Sequence, residues 1–502
     1  MSLLGVDVGT SAIKAVAIVS ATGAPLASTR RSYRATYPES GRMELDPELV
    51  WAAFVETVRS VADADAISDD PVEALALSVS CDEVVPVDRS GRPLGPCIMA
   101  PDTRGADAAA EIGDLIPPAE LYRRTGLALL PLYPLARMVW YRRHRPDLAA
   151  RATRYLGWGE LILDRLGLPA VTDATTAGRW LAWDVRERAW MRDLVADLSL
   201  PPAVLPEVVA PGTQIGTLPA IAARLLGLGE ATTVVAGAFD QICGAVGAGL
   251  REPGDAAVGT GSWENATILT DLPLGTSGLD RGATWGPYVT EDRWAVLLMN
   301  AGGGSVLRWF RTQFGDRSEA SWAAGDAGID LDLSRAGGEP TRLLFLPHLQ
   351  GSHSPWRDPD SKGVLVGLTL ATSRDEVVQA LLEGITYELR LNLDGLAPEL
   401  IIRPPVRNTG RGSRSRAWVQ LKADILGVDI STMESMEPGC LGAAILAGVG
   451  AGVYPSVGAA QSLTCRAAAT IEPDPLRHRA YDSRFAVYRN LYPVLRETLG
   501  LL

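Results

Sequence analysis

Lysine is the scarcest charge in this chain. Only Lys14, Lys362 and Lys422 occur in 502 residues, so nearly all of the 47 basic side chains are arginine. None of the three follows a glycine, which excludes the GxxxxGK[ST] phosphate loop. No GxGxxG follows a strand-like run, so a dinucleotide fold has no support. The HRD and DFG signatures of protein kinases and the GxSxG nucleophile elbow are also missing. Cysteine is sparse and odd in number: Cys81, Cys97, Cys243, Cys440 and Cys465 form no CxxC pair, which fits free thiols in a reducing compartment. The four histidines make no HExxH pattern, and no zinc site is expected at the only close pair, His348 and His353. A basic surplus is lacking too. The net charge of −12 argues against a general binder of nucleic acid or anionic membrane. The uncharged stretch from Gly439 to Tyr454 falls short of the about 20 apolar residues a bilayer span needs, and reads as a buried small-residue helix. The N-terminus enters a strand without a basic leader or cleavage site, so a cytoplasmic protein is expected.

What is present is a globular chain, 47% hydrophobic and too long for one core. Strand-like runs (VEALALSVS, TTVVAGAF, TRLLFLPHL) alternate with helical ones (PELVWAAFVETVRSVADA, SRAWVQLKADILG), which predicts an α/β protein. The turn-rich REPGD at 251–255 marks a domain boundary, giving expected domains 1–250 and 251–502. Each begins alike. Residues 5–18 read GVDVGTSAIKAVAI and residues 255–267 read DAAVGTGSWENAT, so Val8-Gly9-Thr10 falls on Val258-Gly259-Thr260 at an offset of 250. Alone, the first stretch reads equally as a β-hairpin with a polar turn. Two such hairpins facing each other, however, would offer backbone N–H nests and hydroxyls to a polyphosphate from both sides. Residues 234–249, VVAGAFDQICGAVGAG, place Asp240 between a buried strand and a small-residue helix. It is either a helix N-cap or a carboxylate placed to take a proton from an attacking hydroxyl.

In order and spacing, DVGTSAIK, VTDATTAGRWLAWD, AGAFDQICGAVGAG, AVGTGS, FLPHLQGSHSPWRDPDSKG, LLEGITYELR, TGRGSRSRAWVQLKADILG and EPGCLGAAILAGVGAG resemble the FGGY family of carbohydrate kinases over essentially the whole chain. The resemblance implies an actin-like ATPase fold of two ribonuclease-H-like domains with ATP and substrate in the cleft between them. It implies Asp7 as an Mg²⁺ carboxylate acting through water, joined by Asp240 as second metal-associated group and catalytic base. Gly9, Thr10 and Ser11 would touch the phosphates from the first domain, and Gly259, Thr260 and Gly261 from the second. Gly410, Arg411 and Gly412 would line the adenosine pocket. The expected activity is phosphorylation of a small sugar or polyol, a pentulose such as xylulose first. Glycerol, erythritol, ribulose or gluconate kinases are the alternatives, and so are a silent sugar- or nucleotide-binding regulator and an actin- or chaperone-like ATPase. A homodimer is expected by analogy.

The chain departs from that pattern at several points. Cys81, Asp82 and Glu83 stand where relatives resembling xylulose kinases have Met-His-Gly. These two carboxylates are either a solvated turn or acceptors for sugar hydroxyls, and they disfavour an anionic substrate unless arginines offset them. Asp102 and Arg104 are kept as substrate residues, but Ala100 replaces a common tryptophan. Arg411 occupies a usual glycine position, where it would stack on the base, reach a phosphate or impair nucleotide binding. His348 replaces a tyrosine and is expected to pack structurally. Lys14, at a hairpin's end, is expected to be solvated.

Overall fold

The first strand, β1 (Ser2–Val8), carries two different faces. Side chains alternate along a strand, and here Leu4, Val6 and Val8 join a core cluster with Val50, Phe54, Val58 and Val61 of helix α1 (Pro47–Ala62). Leu3, Gly5 and Asp7 take the other face. A strand covered on both sides reads as an apolar run without clean alternation, which is why Asp7 stands out in it. The computed structural model describes residues 1–314, 339–396, 400–435 and 437–502.

β1 pairs antiparallel with β2 (Ala12–Val19), which pairs antiparallel with β3 (Pro25–Ser32). On its other side β1 pairs parallel with β4 (Val72–Val79). With β5 (Gln214–Thr217) and β6 (Thr233–Phe239), the sheet order is β5-β6-β4-β1-β2-β3. The chain turns from β6 directly into helix α2 (Asp240–Gly247). Later in the chain the design returns. Strand β7 (Ala256–Thr260) forms an antiparallel hairpin with β8 (Glu264–Thr270). With β9 (Trp294–Asn300), β10 (Val406–Thr409), β11 (Ile430–Met433) and β12 (Ala467–Ile471), the order runs β9-β8-β7-β10-β11-β12, and the strand Thr284–Pro287 adds an edge beyond β9. β10 is parallel to both β7 and β11. The match of Val8-Gly9-Thr10 with Val258-Gly259-Thr260 therefore reflects two hairpins at equivalent places in two similar sheets.

Two compact units result: Met1–Arg251 with Trp285–Ala295 and Glu437–Arg466, and Glu252–Thr284 with Val296–Met436 and Ala467–Leu502. They are not the two consecutive halves 1–250 and 251–502, because the segments 285–295 and 437–466 pack with the first. The reason lies in the small-residue helix, α4 (Pro438–Gly450). A Cβ on Gly5 would lie 1.8 Å from the Cys440 carbonyl oxygen, one on Gly442 1.9 Å from that of Cys243, and one on Gly247 2.0 Å from that of Pro438. Backbone meets backbone at these points, which only glycine permits. Gly442→Ala is expected to destabilise the fold by about 1–3 kcal/mol or more, the scale for forced overpacking, seen as a lowered thermal midpoint. Gly458→Ala, in a helix with nothing within 4 Å, serves as the control and is expected to be neutral or stabilising. Among the described residues no helix is long and apolar enough to cross a membrane.

Candidate active site

In the first unit, the turn after β1 holds Gly9, Thr10 and Ser11. Gly9 N–H donates to the Ala12 carbonyl at 3.1 Å, and its own carbonyl accepts from the Tyr33 hydroxyl. Thr10 and Ser11 are exposed, and their N–H groups donate to no acceptor among the described residues. A Cβ on Gly9 would meet only the Ala12 oxygen, at 3.4 Å. The fold itself does not demand glycine there, and the turn's outer face stays open to close approach. Asp7 Oδ1 accepts from Ser78 Oγ at 2.7 Å, and Oδ2 lies 3.8 Å from Lys14 Nζ. Lys14 is not a solvated hairpin end: it binds Glu437 Oε2 at 2.7 Å. Burial raises the pKa of Asp7, with Lys14 and Ser78 acting against it.

Asp240 is the first residue of α2, after Phe239 at the cap position, and no side chain caps that helix end. The N-cap reading therefore falls. Its Oδ1 is buried with no hydrogen-bond partner among the described residues. Burial first, then the carboxylates of Asp7, Asp82 and Glu83, push its pKa well above the usual range. A buried carboxylate among other acids favours holding a proton, the property a proton acceptor in a site requires.

Asp82 and Glu83 are not a solvated turn either. Arg179 Nε and Nη2 reach Asp82 Oδ1 and Oδ2, each at 3.1 Å. Glu83 is 1% exposed, and its pKa is pushed up to about 7 by burial and by Asp82, with Arg137 opposing. Arg137, fully buried, donates to the carbonyls of Asp82 and Met99. The arginines that would offset the two acids are thus present. Sequence reasoning missed both, although an arginine inside the apolar runs PLARMVW and TTAGRWLAW was a usable signal. Cys81 is buried beside them, its thiol pushed up by burial and by Asp82. Asp102 and Arg104 bind each other: Asp102 Oδ1 takes Arg104 Nε at 2.8 Å, and Oδ2 takes Arg104 Nη2 and the Met43 N–H, each at 2.7 Å. Arg104 also reaches Glu44 at 2.8 Å and stacks over Trp140. This pair braces the loop from within.

A raised carboxyl pKa carries a stability signature. Glu83 holds its proton in the folded chain up to about pH 7, against an ordinary glutamate value of 4.5. Its contribution is therefore complete below about pH 4.5 and is lost as pH rises through 7. Glu83→Gln is expected to flatten that part of the decline in thermal midpoint between pH 5 and 8. A profile identical to wild type would refute the assignment.

In the second unit, Gly259 and Thr260 end β7 and Gly261 follows. Thr260 is 1% exposed, and its hydroxyl donates to Glu264 Oε1 at 2.9 Å while accepting from Lys422 Nζ at 2.6 Å. This hydroxyl, expected to face a phosphate, is instead used inside the unit. Gly261 N–H is taken by the Trp263 carbonyl at 2.9 Å. Gly410 (φ +78°) and Gly412 close over the same residue: a Cβ on either would come 2.6 Å from the Thr260 carbonyl oxygen or 2.7 Å from its Cγ2. Between them Arg411 is exposed. Lys422 also contacts Glu264 and lies over the Trp418 ring at 4.8 Å. It belongs to helix α3 (Arg416–Leu426). His348 is buried between Ser361 Oγ (2.7 Å) and Glu388 Oε1 (3.2 Å), a packing role, and His353 sits against the Trp263 ring.

The residues fit a hard cation held through water. Among the described residues no group of three or more His, Cys, Asp or Glu could bind a metal directly. Magnesium, however, is usually bound by one or two carboxylates plus phosphate oxygens, and Asp7 and Asp240, with its free Oδ1 among the described residues, match that donor set.

Two sheets of one strand order, each with a Gly-Thr hairpin, define an actin-like ATPase fold. Models of the FGGY family of carbohydrate kinases match its N-terminal domain over residues 2–247 and its C-terminal domain over 256–451. The chain belongs to this family and is a carbohydrate kinase, a class that takes ATP as phosphate donor. It is 28% identical over 510 residues to a gluconokinase of Bacillus subtilis (strain 168), covering 100% of this chain and 96% of that protein. It is 23% identical over 497 residues to a xylulose kinase of Staphylococcus xylosus, covering 98% and 99%. The crystal structure of a gluconate kinase from Lactobacillus acidophilus superposes with a TM-score of 0.88 at 23% identity, covering 99% of each chain.

Proposed function

We propose that this kinase transfers the γ-phosphoryl group of ATP to a hydroxyl of a small acyclic sugar, with Asp240 as general base. The buried Asp240 carboxylate, whose Oδ1 has no partner among the described residues, carries the reading. The sugar hydroxyl donates its proton to Asp240 as its oxygen bonds to phosphorus, and ADP departs. Asp7 and Asp240 would hold Mg²⁺ through water. When bound, the ion neutralises charge on the phosphate oxygens. The open N–H groups and hydroxyls of Thr10 and Ser11 receive phosphate oxygens. In residues 251–502, the turn at Gly259–Gly261 serves through its backbone, since the Thr260 hydroxyl is engaged, and Gly410, Arg411 and Gly412 border the adenosine. In residues 1–250, Cys81, Asp82 and Glu83 face the sugar, while Asp102 and Arg104 hold their loop in place.

A pentulose such as xylulose is the first candidate, because Asp82 and Glu83 suit neutral hydroxyls. Gluconate is the second, favoured by Arg137 and Arg179 beside those acids. ADP release with Mg-ATP across ketoses, polyols and aldonates tests the reading. Turnover on one sugar, with mass spectrometry showing one added phosphate, is the expected result. ADP release unaffected by every sugar would support an ATPase instead and overturn it.

A further inference from the structure

Arg179 has no part in the transfer step, yet it is fixed relative to the base. Asp173 caps the short helix Ala174–Ala177 and binds the hydroxyls of Thr175 and Thr176. Thr175 Oγ1 in turn accepts from the N–H of Phe239 at 2.9 Å, the residue before Asp240. Two residues past that helix, the Arg179 guanidinium lies between the rings of Tyr133 and Phe239, 5.0 and 5.1 Å from their centroids. It is 6% exposed. Its fork to Asp82 uses only Nε and Nη2, so the Nη1 edge has no acceptor among the described residues. Among the described residues the oxygens of Asp82 accept hydrogen bonds from no other group. A charged donor edge and a carboxylate acceptor are thus locked side by side next to Asp240.

We propose that Arg179 and Asp82 form one recognition element for an α-hydroxycarbonyl group, Arg179 Nη1 donating to the carbonyl or carboxylate oxygen and Asp82 accepting from the neighbouring hydroxyl. This rests on the kinase reading of the site above and names the substrate class it takes. An open-chain 2-ketose and an aldonate share the group. An alditol does not: reduction replaces the planar acceptor with an sp³ hydroxyl that meets the guanidinium plane less well. Charged hydrogen bonds of this kind discriminate by about 10- to 100-fold.

The test is kcat/KM for D-xylulose against xylitol and for D-gluconate against D-glucitol, in wild type, Arg179→Met and Arg179→Lys. The wild type is expected to prefer one carbonyl compound over its alditol by roughly 10- to 100-fold. Whichever pair shows this preference separates a neutral ketose from an anionic acid. In Arg179→Met the ratio falls towards one, mostly through a raised KM for the carbonyl partner, and Arg179→Lys, which keeps the charge but not the fork, regains part of it. An unchanged ratio in an Arg179→Met protein of wild-type thermal midpoint overturns the proposal, as does a wild type that prefers the alditol. If Arg179→Met does not fold, the ratio in Arg179→Lys decides by the same criterion. A wild type that phosphorylates none of the four overturns the substrate reading beneath, and the recognition element with it.

Discussion

Asp240→Asn is expected to lower kcat by about 10²–10⁴, the usual scale for losing a general base, while the unfolding midpoint stays near wild type. The asparagine keeps the shape of the side chain and removes its proton affinity and its negative charge. The carboxylate it replaces is buried near Asp7, Asp82 and Glu83, its Oδ1 has no partner among the described residues, and an asparagine oxygen can still accept from the Gln241 backbone. The same environment sets the pH dependence. A base must be unprotonated, so kcat/KM is expected to fall as pH drops through an apparent pKa above the ordinary carboxylate range. The measurement is steady-state turnover from pH 5 to 9 in wild type, with single-turnover rates for the variant. An Asp240→Asn enzyme keeping most of its turnover would remove Asp240 from the chemistry.

Lys422→Met is expected to cost about 3–5 kcal/mol in urea unfolding, the scale for stripping one partner from a buried ion pair. Both side chains are almost wholly buried, 1% and 0% exposed, and Glu264 Oε2 already lacks a partner. Without the ammonium, the Glu264 charge is stranded and the Thr260 hydroxyl loses its donor. The double variant Lys422→Met/Glu264→Gln is expected to recover most of the loss, because no buried charge remains. Since Thr260 is clamped by this pair under Gly410 and Gly412, the double variant should also show a raised KM for ATP with the KM for sugar unchanged. Equal stability of the single variant and wild type would mean the pair contributes nothing.

Much of this was legible in the chain itself. Gly-Thr turns 250 residues apart announced two similar hairpins, because a strand leading into a tight polar turn is a local feature. Asp7 and Asp240 stood out because a carboxylate at the end of an apolar strand is costly without a purpose. The family resemblance followed from the order of such motifs. Three kinds of fact were not legible. Lys14 looked solvated, and a solvated turn stayed open for Asp82, because their partners, Glu437 and Arg179, lie 423 and 97 residues away. Thr260 and Thr10 looked equivalent, yet one hydroxyl is buried against Lys422 and the other side chain is exposed. The domain cut at 251 looked natural, yet the helix Pro438–Gly450 packs back on the first unit.

The sequence alone determined the class of fold, the two hairpins and the carbohydrate kinase class, since each is written in short local patterns of residue type and spacing. Tertiary structure alone decided which charges are paired, which hydroxyl is engaged and which arginine stands beside Asp82. Those depend on burial and on partners distant in the chain, and neither burial nor long-range contact has a local signature.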